Sequence, residues 1–164
     1  MATRIQEKRD RLTERFRAVR TLSRELAAPL SDADATLQPH PDASPAKWHL
    51  GHTSWFFETF VLRDHLPGYQ PFDPAWGYIF NSYYEGEGAR MARGKRGMLS
   101  RPSLGAVLDC RAHVDAAVEA ALPVLPFLAR ELVELGLHHE QQHQELLLMD
   151  LLAGFAENPL SPAV

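Results

Sequence analysis

The stretch GLHHEQQHQELLLMD, Gly136 to Asp150, packs three of the chain's eight histidines into six residues. On an α-helix, residues four apart lie one above the other on the same face, so His139 and His143 project side by side from consecutive turns. That is a metal-chelating arrangement. His138 points about a third of a turn away, and Leu146, Leu147 and Leu148 carry the same helix into a core, which puts the pair at the core's edge. Glu140 completes an H-E-x-x-H pattern, the form of the zinc-protease helix in which the glutamate is a general base. The plainer alternative is a helix with two hydrogen-bonded, partly buried histidines. A second cluster decides between them.

That cluster opens at Ser44-Pro45, where serine can cap free backbone N–H groups and proline fits the first helical position because its missing donor has no intrahelical partner there. The predicted helix runs through Trp48, His49, His52, Trp55, Phe56, Thr59 and Phe60 to about His65 and is ended by Leu66-Pro67-Gly68. Trp48, His52, Trp55 and Thr59 share one face. His52 therefore sits in an aromatic stripe, with Gly51 beside it permitting close approach of another helix. A buried imidazole here, facing the His139/His143 pair, makes three nitrogen ligands and leaves positions open, as catalytic rather than structural metal sites do.

Composition narrows the class. The 164 residues fit one domain, and 45% hydrophobic with 23% charged content is ordinary for a soluble globular chain. A net charge of -4 lacks the basic surplus of a nucleic-acid binder. A single cysteine, Cys110, excludes an internal disulfide, fits a reducing cytoplasm, and reads as a small buried residue. No apolar run nears the roughly 18 residues of a membrane span, and the charged N-terminus from Arg4 is not a secretory signal.

The remaining periodic segments are helical. Arg4 to Leu30 carries a stripe that includes Leu12, Phe16, Val19, Leu22 and Leu26, with charges opposite. Ser31 to Ala43 is a loop. Ser103 caps a third long helix with Leu104, Val107, Leu108, Val114, Val118 and Ala121 facing inward, up to Pro123. The fourth runs from about Phe127 to Gly154, and Glu157 to Val164 is a tail. Between Pro67 and Pro102 lies a long connection, rich in Gly, Pro and aromatics, with a short helical turn near Trp76 to Glu85. Connections of this length are usually functional. It ends in five cations, Arg90, Arg93, Lys95, Arg96 and Arg101, and an arginine fork suits a carboxylate. Four amphipathic helices and no strand-period segment predict an all-α four-helix bundle, with a long crossover between the second and third long helices that lets them run parallel.

Three segments together, SPAKWHLGHTSWFFE at Ser44 to Glu58, FNSYYE at Phe80 to Glu85, and LHHEQQHQELLLMD at Leu137 to Asp150, resemble the N-terminal domain of the ergothioneine-biosynthesis sulfoxide synthases, a DinB-like four-helix domain. The resemblance implies a mononuclear non-haem iron(II) site held by His52, His139 and His143. It implies a reaction in which O2 joins the sulfur of cysteine or γ-glutamylcysteine to the imidazole ring of hercynine. Gln142 matches a position that contacts hercynine. Arg93, or else Arg90 or Arg96, matches the binder of a substrate carboxylate. Imidazoles alone would equally accept zinc or nickel, so iron rests on the resemblance. His49 and His138 are expected in supporting or structural roles.

In that family, a segment like Asn158 to Ala163 leads into a second domain, related to formylglycine-generating enzymes, which supplies the catalytic tyrosine. The expected organisation is thus a metal-binding bundle over residues 1–157 and the start of a linker over 158–164, with little or no activity unless the second domain joins it, for instance as a separate polypeptide. Two other readings stand beside this one: a stand-alone DinB-like thiol transferase using zinc or nickel, and a non-catalytic module that docks on a separate catalytic domain. No nucleic-acid or membrane partner is expected.

Overall fold

The computed structural model describes residues 2–163 and, among them, contains helices and turns but no strand. Helix α1 spans Ala2–Ala27, α2 Ala46–Phe56, the short α3 Trp76–Phe80, α4 Leu104–Ala121 and α5 Phe127–Ala156. Past Phe56 the α2 rod continues over Phe57–Arg63 with wider, π-helical turns, and it stops at Leu66 as the Leu-Pro-Gly sequence dictates. The side chain of Ser103 accepts from the Ala106 N–H and caps α4 as expected. Ser44 does not cap α2. Pro45 occupies that position, its carbonyl accepting from the Trp48 and His49 N–H groups, while the Ser44 hydroxyl is held by Arg96 and its N–H by Asp150.

Side-chain pairings fix the directions of the rods. Arg15 meets Glu134 and Ser23 meets Glu140, so α1 and α5 run parallel. Ser44 meets Asp150 while His52 meets His139, so α2 and α5 are antiparallel. Arg20 meets Asp115 and Arg17 meets Glu119, which sets α4 against α1. Helices α2 and α4 therefore run parallel, and the long connection carries the chain from the end of one to the start of the other.

The core has two apolar ends. One is built from Phe16, Phe56, Phe57, Val61, Val114, Val118, Val133 and Leu137; the other from Ala27, Trp48, Leu50, Trp55, Phe80, Val107, Leu147, Leu151 and Phe155. Fully burying one such side chain, Phe16 for example, contributes about 1.5–3 kcal/mol. Along α1, α2, α4 and α5 the two ends are separated by polar residues at the same height: Arg20 and Ser23, Thr53 and Ser54, Arg111, Glu140 and Gln144, all buried. This middle layer explains a departure from the expected α1 stripe. Leu22 faces solvent, and the buried line runs Phe16, Arg20, Ser23, Ala27. Helix α2 is buried on every side from Ala46 to Phe56, enclosed by α4, α5, α3 and the turn at Asp34–Thr36, rather than along one stripe. Glycine permits the tightest contacts: a Cβ at Gly51 would overlap the Phe80 ring, and one at Gly136 would overlap Phe57.

Candidate metal centre

His52 from α2 and His139 and His143 from α5 converge at mid-bundle, each offering a ring nitrogen within 4.8 Å of the others. Their rings lie 4.6–4.9 Å apart, centroid to centroid. Each orientation has a local cause. The His52 Nδ1–H donates to the Phe80 carbonyl at 2.6 Å, leaving Nε2 for the centre. Trp48 and Trp55, one turn before and after His52, stack on its ring at 4.6 and 5.7 Å and hold its plane. His143 Nδ1 lies 2.8 Å from His49 Nδ1, and His49 Nε2 lies 3.1 Å from Asp150 Oδ2. His139 Nδ1 is buried with no protein partner.

The three rings are uncharged near neutral pH. Burial, with His139 beside it, pulls His52 down to about 3. Burial also lowers His139, and burial together with His52 and His49 lowers His143. Uncharged imidazoles carrying uncommitted ring nitrogens, one of them a buried orphan, are a donor set that fits a divalent transition-metal ion.

The histidines floor a cavity of about 340 Å³ walled by Trp48, Tyr83, Tyr84, Gln142, Arg93 and Arg96. Gln142 is exposed at its rim. Arg93 is also exposed, and its Nη1 donates to the Tyr83 hydroxyl at 3.1 Å. Arg96 is buried. Its guanidinium lies 3.3 Å from the centre of the Trp48 ring, donates to the Ser44 and Ser82 hydroxyls, and leaves Nε unpartnered. Burial, with Arg93 alongside, pulls Arg96 down to about 10, so it remains a cation, and among the described residues no carboxylate pairs with it. Arg90 does not line this cavity; it lines an adjoining cleft that shares Ser82, Tyr83, Arg93 and Arg96 with it.

Glu140 has no part in the centre. Its carboxylate accepts from Arg20 Nη1 at 2.8 Å, Arg111 Nη2 at 2.7 Å and the Ser23 hydroxyl at 2.6 Å, and is turned toward α1 and α4. A carboxylate so occupied cannot serve as the general base of a zinc-protease helix. His138 is exposed. Cys110 is buried, and burial pushes its thiol up to about 12, which removes it as a nucleophile.

Asp150 is the functional residue that sequence reading passed over. It closes the quoted stretch one residue after Met149 and reads as an ordinary helix-face carboxylate, but it is buried against His49 and the Ser44 N–H. Its signal was the pairing of two motifs: His49 and Asp150 each sit a short way along a helix from a histidine of the centre. No helix among the described residues is long and apolar enough to cross a membrane.

The model of the DinB superfamily covers residues 15–147, a span that holds all three histidines of the centre. No curated protein matches the chain.

Proposed function

Because the chain belongs to the DinB superfamily, whose model covers the helices that carry the centre, we propose that it is the metal-binding domain of a non-haem iron(II) sulfoxide synthase. In this reading it joins a cysteine-type thiol to hercynine at the expense of O2, in concert with a second domain that supplies the catalytic tyrosine. The observation that carries the proposal is the convergence of three uncharged imidazoles on the floor of a cavity whose wall holds a cation without a counterion. The resemblance of the three motifs to that family supplies the choice of iron and of hercynine.

His52, His139 and His143 would hold the ion, which supplies the capacity to activate O2 and to bind thiolate sulfur. The chain's own residues do the rest. Arg96, desolvated and unpaired, and Arg93 at the mouth present guanidinium groups to a substrate carboxylate. Gln142 at the rim offers an amide to the second substrate. Trp48, stacked between Arg96 and His52, keeps both in place. The Phe80 carbonyl, by holding the His52 Nδ1–H, fixes which nitrogen of that ring faces the cavity.

One observation favours a second reading. An all-imidazole donor set does not select iron over zinc or nickel, so a DinB-like thiol transferase using such an ion as a Lewis acid is the alternative. The test is metal analysis of protein purified without oxygen, followed by O2-uptake measurements with hercynine and cysteine or γ-glutamylcysteine, with and without a second-domain polypeptide. Stoichiometric iron, and uptake that requires both substrates, support the synthase. Zinc or nickel with thiol transfer independent of O2 overturns it in favour of the transferase.

A further inference from the structure

We infer that His49 and Asp150 form a positioning relay that locks His143 in the one tautomer able to present Nε2 to the centre. The inference rests on the metal-binding part of the proposed function and not on the identity of the metal or the substrates.

Four groups in line, Ser44, Asp150, His49 and His143, share the protons that decide the tautomer. Asp150 Oδ2 accepts from the Ser44 N–H at 2.8 Å and lies 3.1 Å from His49 Nε2. A carboxylate offers acceptors only, so the proton in the second contact belongs to His49 Nε2. An uncharged imidazole carries a single N–H, which makes His49 Nδ1 an acceptor. His49 is buried at 3% exposure; the Asp150 carboxylate favours a second proton on its ring, but burial, with Arg96 and Arg93 on the crossover acting in the same sense, outweighs it. The 2.8 Å contact between His49 Nδ1 and His143 Nδ1 must then be filled from the other side, by the His143 Nδ1–H. A neutral His143 so protonated keeps its lone pair on Nε2.

The alternative tautomer would place that proton on Nε2, where it would face His52 and His139 and block coordination. Reaching it requires breaking the contact to His49 and leaving two buried ring nitrogens opposed without a proton between them. An ionised neighbour thus dictates, through one intervening ring, which atom of His143 is a ligand. His52 is fixed in the same sense by a backbone carbonyl, through Nδ1 to Phe80. His139 has no such partner for Nδ1, so its tautomer is not imposed by the protein. Groups that orient a ligating histidine in this way typically contribute 10–100-fold to metal affinity.

The experiment uses the full chain with ring-¹⁵N histidine, freed of metal, and reads tautomers from two-bond ¹H–¹⁵N correlations at neutral pH. His143 is expected as the Nδ1–H form and His49 as the Nε2–H form. Titration with cobalt(II), followed by its visible absorption, then compares variants. His49→Phe is expected to weaken cobalt binding 10–100-fold, and Asp150→Asn, whose amide can donate to His49 Nε2 and so reverse the relay, to weaken it as well, while His49→Gln, which can keep an acceptor against His143, retains most of the affinity. An Nε2–H tautomer at His143 in the wild-type protein overturns the inference, as does undiminished cobalt binding by a folded His49→Phe variant. The tautomer measurement needs no variant, so it decides the matter even if His49→Phe does not fold. Failure of the wild type to bind any metal would instead overturn the proposed function, and would leave the tautomer assignments standing.

Discussion

Two polar clusters lie side by side along α5, and they are built on opposite principles. In one, Glu140 meets two arginines and a serine, and Arg20 also meets Asp115, so the charges are answered by partners of opposite sign. In the other, three histidines turn nitrogens toward one another, His139 Nδ1 has no partner, and Arg96 stacks on an indole with hydroxyls for company. A buried polar group left unsatisfied is costly. The closed cluster avoids that cost by itself, whereas the open one avoids it only when something enters from outside. Glu140 and the two arginines and serine it meets are buried, and two of the histidines only partly so, but the decisive difference is whether the protein completes the set.

Mutation of each cluster separates them. Removing the shared carboxylate with Glu140→Ala leaves the buried Arg111 without a counterion and Arg20 with Asp115 alone, and breaking such a set costs about 3–5 kcal/mol. At this chain length that is a fall in Tm of about 10 °C by calorimetry. The same carboxyl sets an acid limb. Burial pushes it up, but Arg111, Arg20 and Ser23 prevail and hold it at about 2, below the ordinary 4.5. Its contribution is therefore complete above about 4.5 and is lost as pH falls toward 2, so urea midpoints should drop across that window and the drop should shrink in Glu140→Gln.

In the open cluster the expected effects fall on binding. His52→Ala should reduce metal affinity at least 100-fold, about 2.7 kcal/mol, with the helical circular dichroism unchanged; retention of stoichiometric metal would break the comparison. Gly51→Ala forces the Phe80 ring away from α2, an overpacking that costs about 1–3 kcal/mol and loosens the acceptor of His52 with it. Arg96→Met is the sharpest contrast with Glu140→Ala. Since it removes a buried cation that has no counterion, stability should change by under about 1 kcal/mol, while a carboxylate-bearing substrate should bind roughly tenfold more weakly, as loss of one charge-assisted contact implies. A large loss of stability here would mean that Arg96 is structural.

Much of this was legible in the residues. The four long helices, the parallel pair joined by a crossover, the Ser103 cap, the buried Cys110 and the three-histidine set follow from periodicity, caps and spacing, because those signals are local to a helix or repeat along it. The closed cluster was not legible. Arg20, Arg111 and Glu140 come from three separated helices, and in sequence each is one charge among many on an amphipathic rod. Apolar spacing places Leu22 in the core because it cannot show that a neighbouring arginine, Arg20, claims the inward position. Asp150 and the role of Ser44 were hidden for the same reason: each acquires its meaning from a partner about a hundred residues away.

The crossover between α2 and α4 contributes Ser82, Tyr83, Tyr84, Arg93 and Arg96 to the cavity and the Phe80 carbonyl to His52, while all three histidines of the centre stand on α2 and α5. On the proposed function, retention of the ion and most of the choice of organic substrate would then be encoded on different stretches of chain, with Gln142 on α5 the exception. A library confined to positions 82–96 should therefore yield proteins that accept new thiols or new amino acids while loading the same cation, which makes this segment the place where such a scaffold diversifies.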